Sequence, residues 1–117
     1  MGPTVLIVDD HASFRSFARA LLEADGFEVV GEADDGERAL AAISRLRPHI
    51  VVLDIQLPDI DGFEVAERLA AAGDPAAVVL VSTRDISSYR RRLARSSVRG
   101  FISKGELSGN ALSALVP

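Results

Sequence analysis

Short apolar segments alternate along the chain with longer segments in which apolar residues recur every three or four positions. The short segments are mainly aliphatic and predict β-strands at 4–8, 28–33, 50–53, 77–81 and 100–103. The longer segments have the spacing of amphipathic helices. The sets with this spacing are Phe14, Phe17, Ala18, Leu21 and Leu22; Ala39, Leu40, Ile43 and Leu46; Phe63, Ala66, Leu69 and Ala70; and Ile86, Tyr89, Leu93 and Ala94. A fifth, short helix is predicted after Ser108, whose hydroxyl suits an N-cap.

Five strand–helix repeats predict an α/β fold with a parallel sheet covered on both faces. The first, third and fourth strands are continuous aliphatic runs, which is typical of strands buried on both faces. The second strand carries Glu28 and Glu32 and the fifth is short, so both are predicted at the sheet edges. We therefore expect a flavodoxin-like (βα)5 doubly wound sheet with strand order 2-1-3-4-5. In such a sheet, ligands bind where the chain reverses between strands 1 and 3.

Composition limits the classes of protein to which the chain can belong. Its 117 residues are the length of one domain, and residues 1–117 are interpreted as a single unit without repeats or linkers. No apolar run is long enough to span a membrane, and the first residues lack a signal-peptide pattern, so we expect a cytoplasmic protein without membrane contact. The absence of cysteine excludes disulfides and thiolate metal sites. The net charge of −4 argues against direct binding of nucleic acid.

Acidic, hydroxyl and basic side chains stand at the predicted carboxyl ends of four strands. Asp9 and Asp10 follow strand 1, Asp54 follows strand 3, Ser82 follows strand 4 and Lys104 follows strand 5. Each of these residues alone is common at a helix N-cap or on a solvated surface. Together, three crowded carboxylates would repel one another unless a cation lay among them, and an all-oxygen site suits Mg²⁺. A metal ion, a lysine and a hydroxyl can hold a phosphoryl group, and Asp54 is best placed as its nucleophile.

These motifs resemble those of the receiver domains of bacterial response regulators, the CheY-like phosphoacceptor family, over essentially the whole chain. Four segments in the right order carry the match: Val8-Asp9-Asp10; Leu53-Asp54-Ile55-Gln56-Leu57-Pro58 with Asp61-Gly62; Val81-Ser82; and Phe101 three residues before Lys104. His11 after the aspartate pair and Gly105 after Lys104 resemble the LuxR/FixJ subgroup, whose receivers precede helix-turn-helix output domains. The resemblance implies a two-component signalling protein rather than an enzyme with an external substrate.

The resemblance also implies a role for each matching residue in phosphoryl transfer. Asp54 would accept the phosphoryl group from a sensor histidine kinase, and Lys104 and Ser82 would contact the phosphoryl oxygens. The cofactor would be Mg²⁺, bound by Asp10, Asp54 and the backbone carbonyl of Gln56, with Asp9 holding a coordinating water. In this interpretation the domain assists its own phosphorylation and dephosphorylation.

A conformational switch is implied by the same resemblance. Phe101 would turn inward when Ser82 is drawn toward the phosphoryl group, which would alter the face of helix 4, strand 5 and helix 5 that controls an output partner or transcription. Thr83 stands where the family usually has Ala or Gly, and a branched side chain there can slow donor access or hydrolysis. Gln56 and Arg84 flank the mouth of the site, at positions that in the family tune the lifetime of the phosphorylated state.

Five arginines cluster in one stretch of an otherwise acidic chain: Arg90, Arg91, Arg92, Arg95 and Arg99. The simplest interpretation is a solvated helix face. The alternative hypothesis is that this Arg90–Arg99 face meets an acidic protein partner or the output domain. A homodimer is a further expectation for a switch that acts through helix 4. Any output domain is expected after Pro117, outside this chain.

Other classes of function make different demands on the sequence. A phosphatase of the haloacid dehalogenase type also uses an aspartate nucleophile and Mg²⁺, but it needs a second aspartate two residues later. This chain has His11 after Asp9 and Gln56 after Asp54 at that spacing. A dinucleotide-binding fold is disfavoured because the first strand–helix turn contains no glycine. The remaining alternative is a receiver that binds protein partners without phosphorylation, which the intact site disfavours and Thr83 keeps open.

Overall fold

The computed structural model describes residues 2–116 as strands and helices in alternation. The strands are β1 (Thr4–Val8), β2 (Glu28–Ala33), β3 (Ile50–Asp54), β4 (Ala77–Ser82) and β5 (Gly100–Ser103). The helices are α1 (Ala12–Ala24), α2 (Gly36–Leu46), α3 (Gly62–Ala71), α4 (Arg90–Arg95) and α5 (Gly109–Leu115). Short 3₁₀ turns at Ile86–Tyr89 and Lys104–Glu106 lie before α4 and α5. Within residues 2–116, no helix combines the length and apolar character needed to cross a bilayer.

The five strands form one parallel sheet in the order β2-β1-β3-β4-β5, which confirms the predicted α/β fold. The charged strand β2 and the short strand β5 lie at the edges, as expected. The chain changes its direction of winding between β1 and β3, so the carboxyl ends of these two strands are neighbours. In the register of the sheet, Leu53 pairs with Val8 of β1, and Asp54 pairs with Val81 of β4.

Alternate strand residues supply a separate core on each face of the sheet. Val5 and Ile7 belong to the core that α1 and α5 cover, where Leu22 and Leu112 are fully buried. The residues between them on β1 face the opposite core, which is covered by α2, α3 and α4. Burial on both faces explains why β1, β3 and β4 consist of continuous aliphatic runs.

Side-chain caps and one glycine fix the loop between β3 and α3. Asp61 is the N-cap of α3, because its Oδ1 accepts a hydrogen bond from the Glu64 backbone N–H at 2.9 Å. A Cβ atom on Gly62 would lie 2.7 Å from the backbone oxygen of Asp54, so only glycine allows α3 to begin this close to the end of β3. The predicted cap of α5 is confirmed, since Ser108 Oγ accepts a hydrogen bond from an α5 N–H at 3.0 Å.

Two predictions about apolar residues are wrong. Phe17 belongs to the predicted apolar stripe of α1, yet its side chain is 53% exposed. The spacing after β4 predicts one helix from Ile86, but the structure has a 3₁₀ turn there, and Ile86 is 42% exposed. The Asp85 carboxylate accepts a hydrogen bond from the backbone N–H of Ser87, which stabilises this local turn. Strands β3 and β4 also extend one residue beyond their predicted ends.

Candidate functional site

The carboxyl ends of β1 and β3 bring four potential metal-ligand groups together. One ligand atom from each of Asp9, Asp10, His11 and Asp54 lies within 4.8 Å of the other three. Asp9 and Asp54 are buried, whereas Asp10 and His11 are exposed. The clustering follows from the parallel sheet, because its neighbouring strands end at the same edge. The predicted juxtaposition of the three carboxylates is therefore present, and their roles stay predictions.

Lys104 reaches two of these carboxylates from the end of β5. Its ammonium nitrogen lies 2.5 Å from Asp9 Oδ2 and 3.4 Å from Asp54 Oδ2, and its side chain is only 11% exposed. The third neighbour of the ammonium is the ring of Phe14 on α1, whose centroid lies 4.7 Å away. Phe14 was not among the predicted site residues, since an aromatic residue with helical spacing is normally part of a core.

The ionisation of Asp54 is shifted by its surroundings. Burial raises the pKa of the Asp54 carboxyl from 3.8 to about 6, and repulsion from Asp9 acts in the same direction. Lys104 and the backbone N–H of Gln56, which donates to Asp54 Oδ1 at 3.3 Å, act in the opposite direction. One ammonium therefore leaves an excess of negative charge at the site. A further cation beside Asp54 would be electrostatically favourable.

His11 contacts both carboxylates of the aspartate pair. Its Nδ1 lies 3.1 Å from Asp9 Oδ1 and 3.1 Å from Asp10 Oδ1, and its backbone N–H donates to Asp9 Oδ1 at 2.8 Å. The ring is exposed, and the sequence did not reveal these contacts. Asp9 Oδ1 thus accepts a hydrogen bond from His11, whereas the buried Oδ2 forms an ion pair with Lys104 but no hydrogen bond with residues 2–116. Asp10 has its carboxylate open to solvent.

A cavity of about 500 Å³ opens above Asp54. Its walls are Asp10, His11, Ser13, Phe14, Asp54, Gln56, Thr83, Lys104 and Gly105. Phe14 makes part of the wall apolar, while Lys104 and the aspartates are charged. Thr83 lies in this lining, so the residue that departs from the family pattern is placed where it can affect access to Asp54.

The two predicted mouth positions contact each other. When the amide oxygen of Gln56 faces Arg84, it accepts hydrogen bonds from Nε at 3.0 Å and Nη2 at 3.1 Å. This contact joins the loop after β3 to the loop after β4. The backbone carbonyl of Gln56 as a metal ligand stays a prediction.

The predicted switch residues lie on neighbouring strands behind the site. Ser82 is buried, does not line the cavity, and accepts a hydrogen bond on Oγ from the Arg84 backbone N–H at 3.0 Å. Phe101 is half-buried, and its ring centroid lies 6.4 Å from that of Tyr89, which lies 6.0 Å from that of Phe63. We call Phe63, Tyr89 and Phe101 the aromatic row. It links β5 to α3 through the turn before α4, and the sequence did not reveal it.

All five arginines of the Arg90–Arg99 face are exposed. Arg92 is held in place, because its Nη2 lies 2.7 Å from Asp61 Oδ2 and its guanidinium carbon lies 4.2 Å from the Phe63 ring centroid. Arg90, Arg91, Arg95 and Arg99 form no ion pair with any residue between 2 and 116. The solvated-face interpretation fits these four arginines, and Arg92 departs from it.

Comparisons with known proteins identify the family of the chain. The family model for the response regulator receiver domain matches residues 5–116. The virulence-factor transcription regulator BvgA of Bordetella pertussis is 42% identical over 102 residues, which cover 87% of this chain and 49% of BvgA. This chain thus spans about half the length of that relative.

Solved structures give the same result. The signal receiver domain of NarL from Mycobacterium tuberculosis superposes with a TM-score of 0.88 at 31% identity, covering 97% of this chain and 96% of that one. A LuxR-family two-component response regulator from Aurantimonas has a TM-score of 0.87 at 25% identity, covering 98% of this chain and 86% of its own. The chain therefore belongs to the family of response regulator receiver domains, the signal-receiving units of two-component systems.

Proposed function

We propose that this domain accepts a phosphoryl group on Asp54 from the phosphohistidine of a sensor histidine kinase, in a reaction that depends on Mg²⁺. The observation that carries the proposal is the environment of Asp54. This carboxylate ends the central strand, is contacted by Lys104, and opens to a cavity of about 500 Å³. Membership of the receiver family supports the same reaction.

The residues at the site support a direct displacement at phosphorus. A carboxylate oxygen of Asp54 attacks the phosphorus, the bond from phosphorus to the donor imidazole nitrogen breaks, and its electron pair leaves with the imidazole. The product is an acyl phosphate. Because the pKa of Asp54 is about 6, the carboxyl is mostly ionised at pH 7 and is able to act as the nucleophile. Lys104 supplies positive charge for the phosphoryl oxygens.

The donor set fits Mg²⁺, a hard ion that prefers oxygen ligands. We assign Asp10, Asp54 and the backbone carbonyl of Gln56 as protein ligands, with Asp9 acting through a water. The indirect role suits Asp9 because it is fully buried and its carboxylate already contacts His11 and Lys104. When bound, the ion neutralises the crowded carboxylates and the charge that develops on the transferred group.

The proposed response to phosphorylation involves Ser82 and Phe101. Ser82 Oγ leaves its contact with the Arg84 N–H to donate to a phosphoryl oxygen, and Phe101 turns toward the space that Ser82 vacates. The movement of Phe101 then shifts the neighbouring ring of Tyr89, and with it the turn before α4. An acidic protein surface or an output domain of the whole protein is the proposed reader, through the Arg90–Arg99 face. The domain itself turns over no external substrate.

Intact-mass measurement with acetyl phosphate tests the phosphoacceptor assignment. The wild-type chain should gain the mass of one phosphoryl group in Mg²⁺ and none in EDTA, while Asp54→Asn should gain none. Asp34→Asn is the matched control, because Asp34 also follows a strand but has a side chain that is 45% exposed and pairs with Arg38. Phosphorylation of Asp54→Asn at the wild-type level would refute the assignment. A wild-type chain that is never phosphorylated would favour the alternative, a receiver that binds partners without phosphate.

Tyrosine fluorescence tests the switch. Tyr89 is the only tyrosine in the chain and there is no tryptophan, so its emission reports on the aromatic row alone. Adding beryllofluoride with Mg²⁺ should change that emission in the wild type, and Ser82→Ala should reduce the change. An unchanged spectrum in a sample whose Asp54 is occupied would contradict the proposed path from Ser82 through Phe101 to Tyr89.

A further inference from the structure

We infer that Phe14 is a positioning residue for phosphoryl transfer, whose ring holds the ammonium of Lys104 over the Asp54 carboxylate. The inference rests on the proposed function, because a fixed Lys104 affects the reaction only if Asp54 is the acceptor.

The ammonium of Lys104 is enclosed by three groups from three different elements. Asp9 Oδ2 lies at 2.5 Å and Asp54 Oδ2 at 3.4 Å, and the ring centroid of Phe14 lies at 4.7 Å. That last distance is within the range in which an aromatic face attracts a cation. The Lys104 side chain as a whole is only 11% exposed, and it lines the cavity above Asp54.

The ring limits where a flexible side chain can go. A lysine side chain has several rotatable bonds, and the ammonium lies closer to Asp9 Oδ2, at 2.5 Å, than to Asp54 Oδ2, at 3.4 Å. The Phe14 ring lies on another side and restricts movement of the ammonium out of the site. It also keeps water from that side, which strengthens the electrostatic effect of Lys104 on a phosphoryl group at Asp54.

Phe14 is itself well anchored. It lies in the first turn of α1, directly after the aspartate pair, and packs against the core between the sheet and α1 and α5. The next residue, Arg15, donates a hydrogen bond from Nη1 to the backbone oxygen of Asp9 at 2.7 Å, which ties the first turn of α1 to the end of β1. The ring is therefore fixed relative to the acidic residues.

A merely structural role for Phe14 makes a different prediction. If the ring only fills space, an apolar side chain of similar size would replace it. The effect of removing the ring would then be the same with and without the Lys104 ammonium. If the ring acts on the ammonium, an aromatic replacement is needed and the effect disappears when the ammonium is absent. Phe17 provides a control, since its exposed ring lies 6.4 Å from that of Phe14 on the same helix.

Phosphorylation rates with two small donors, acetyl phosphate and phosphoramidate, test the inference in the full chain with Mg²⁺. Phe14→Leu should slow phosphorylation about three- to tenfold with both donors, because Lys104 contacts the phosphoryl group that the donors share. Phe14→Tyr should restore nearly the wild-type rate, and Phe17→Leu should leave the rate unchanged. Phe14→Met serves as a second non-aromatic variant if thermal unfolding shows that Phe14→Leu does not fold.

A double-mutant cycle with Lys104→Met completes the test. In the Lys104→Met background, Phe14→Leu should add no further slowing. Equal slowing with and without the ammonium would overturn the inference, as would a wild-type rate for Phe14→Leu or a rate change with only one donor. In each of these outcomes Asp54 is still phosphorylated and the proposed function stands. A wild-type chain that neither donor phosphorylates would instead refute the proposed function and the inference with it.

Discussion

The site at the end of the sheet and the Arg90–Arg99 face both concentrate charge, but in opposite environments. Asp9 and Asp54 are buried, and the nearly buried ammonium of Lys104 contacts both carboxylates, so Asp9 and Lys104 both affect the pKa of Asp54. The arginines are exposed, and Arg92 is the one among them with an ion-pair partner in the described chain. Coulomb energies fall steeply from a protein interior to its surface. The same type of substitution is therefore expected to have large effects at the site and small effects on α4.

The largest effect is expected from Lys104→Met, which removes the ammonium but keeps most of the aliphatic stem. Asp9 and Asp54 would stay buried without it, so the free energy of unfolding should fall by about 3 kcal/mol at pH 7 in EDTA. Urea denaturation measures this. Mg²⁺ should recover part of the loss, because a bound divalent ion supplies the missing positive charge.

Arg38→Met is the surface control for that experiment. Arg38 also forms an ion pair, with Asp34, but its side chain is 72% exposed. Its loss should leave the urea midpoint nearly unchanged. If Lys104→Met and Arg38→Met shifted the midpoint equally, the contrast between the two regions would be wrong.

Asp54→Asn should increase the free energy of unfolding at pH 7 without metal by about 2 kcal/mol, because it removes a buried carboxylate whose pKa is raised to about 6. The pKa of Asp54 is raised in the folded chain, so the folded state holds this proton more tightly than the unfolded state. Well below pH 3.8 the carboxyl is protonated in both states, and the variant should equal the wild type. As the pH rises through about 6, the wild type loses stability relative to the variant.

Urea denaturation at several pH values in EDTA measures that difference. A gap between wild type and Asp54→Asn that is constant from pH 4 to pH 7 would contradict the ionisation argument. Mg²⁺ should narrow the gap at pH 7, since it stabilises the wild-type site specifically.

Most of the fold and the grouping of the site were predictable from local patterns. Strands β1, β2 and β5 have the predicted bounds, because their apolar runs coincide with the residues that form the strands. Strands β3 and β4 extend one residue further, since Asp54 and Ser82 pair in the sheet although they are polar. The site residues come together because the carboxyl ends of parallel strands lie at one edge of the sheet. The predicted strand order was therefore sufficient to predict this grouping.

Contacts between side chains on different elements were not predictable in the same way. The Phe14–Lys104 contact depends on the rotation of α1 about its axis, and the contact between Arg92 and Asp61 joins residues 31 positions apart. Apolar spacing reports that a residue is on a face but not what it touches there. For this reason the spacing of Phe17 correctly indicates a helix but does not reveal that its side chain is exposed.

Tyr89, in the turn before α4, is the site of the next expected effect. Tyr89→Phe should increase the free energy of unfolding by about 1 kcal/mol. The Tyr89 side chain is buried, and its hydroxyl has no hydrogen-bond partner within residues 2–116. Removing an unsatisfied buried hydroxyl removes its desolvation cost and keeps the ring in the aromatic row. Thermal unfolding of both chains without phosphodonor measures the difference. A loss of stability would mean that the hydroxyl is hydrogen-bonded in solution.

The smallest effect is expected on α4 itself, from Arg92→Gln compared with Arg91→Gln. Arg92 pairs with Asp61, the N-cap of α3, and its guanidinium lies over the Phe63 ring, so its loss should cost about 0.5 kcal/mol. Arg91 has no such partner, and Arg91→Gln should be neutral within error. Because exposed pairs are screened by salt, the difference between the two variants should shrink in 1 M NaCl. Equal urea midpoints for both variants at low salt would show that the Arg92 contact contributes nothing, and that all five arginines act as a solvated face.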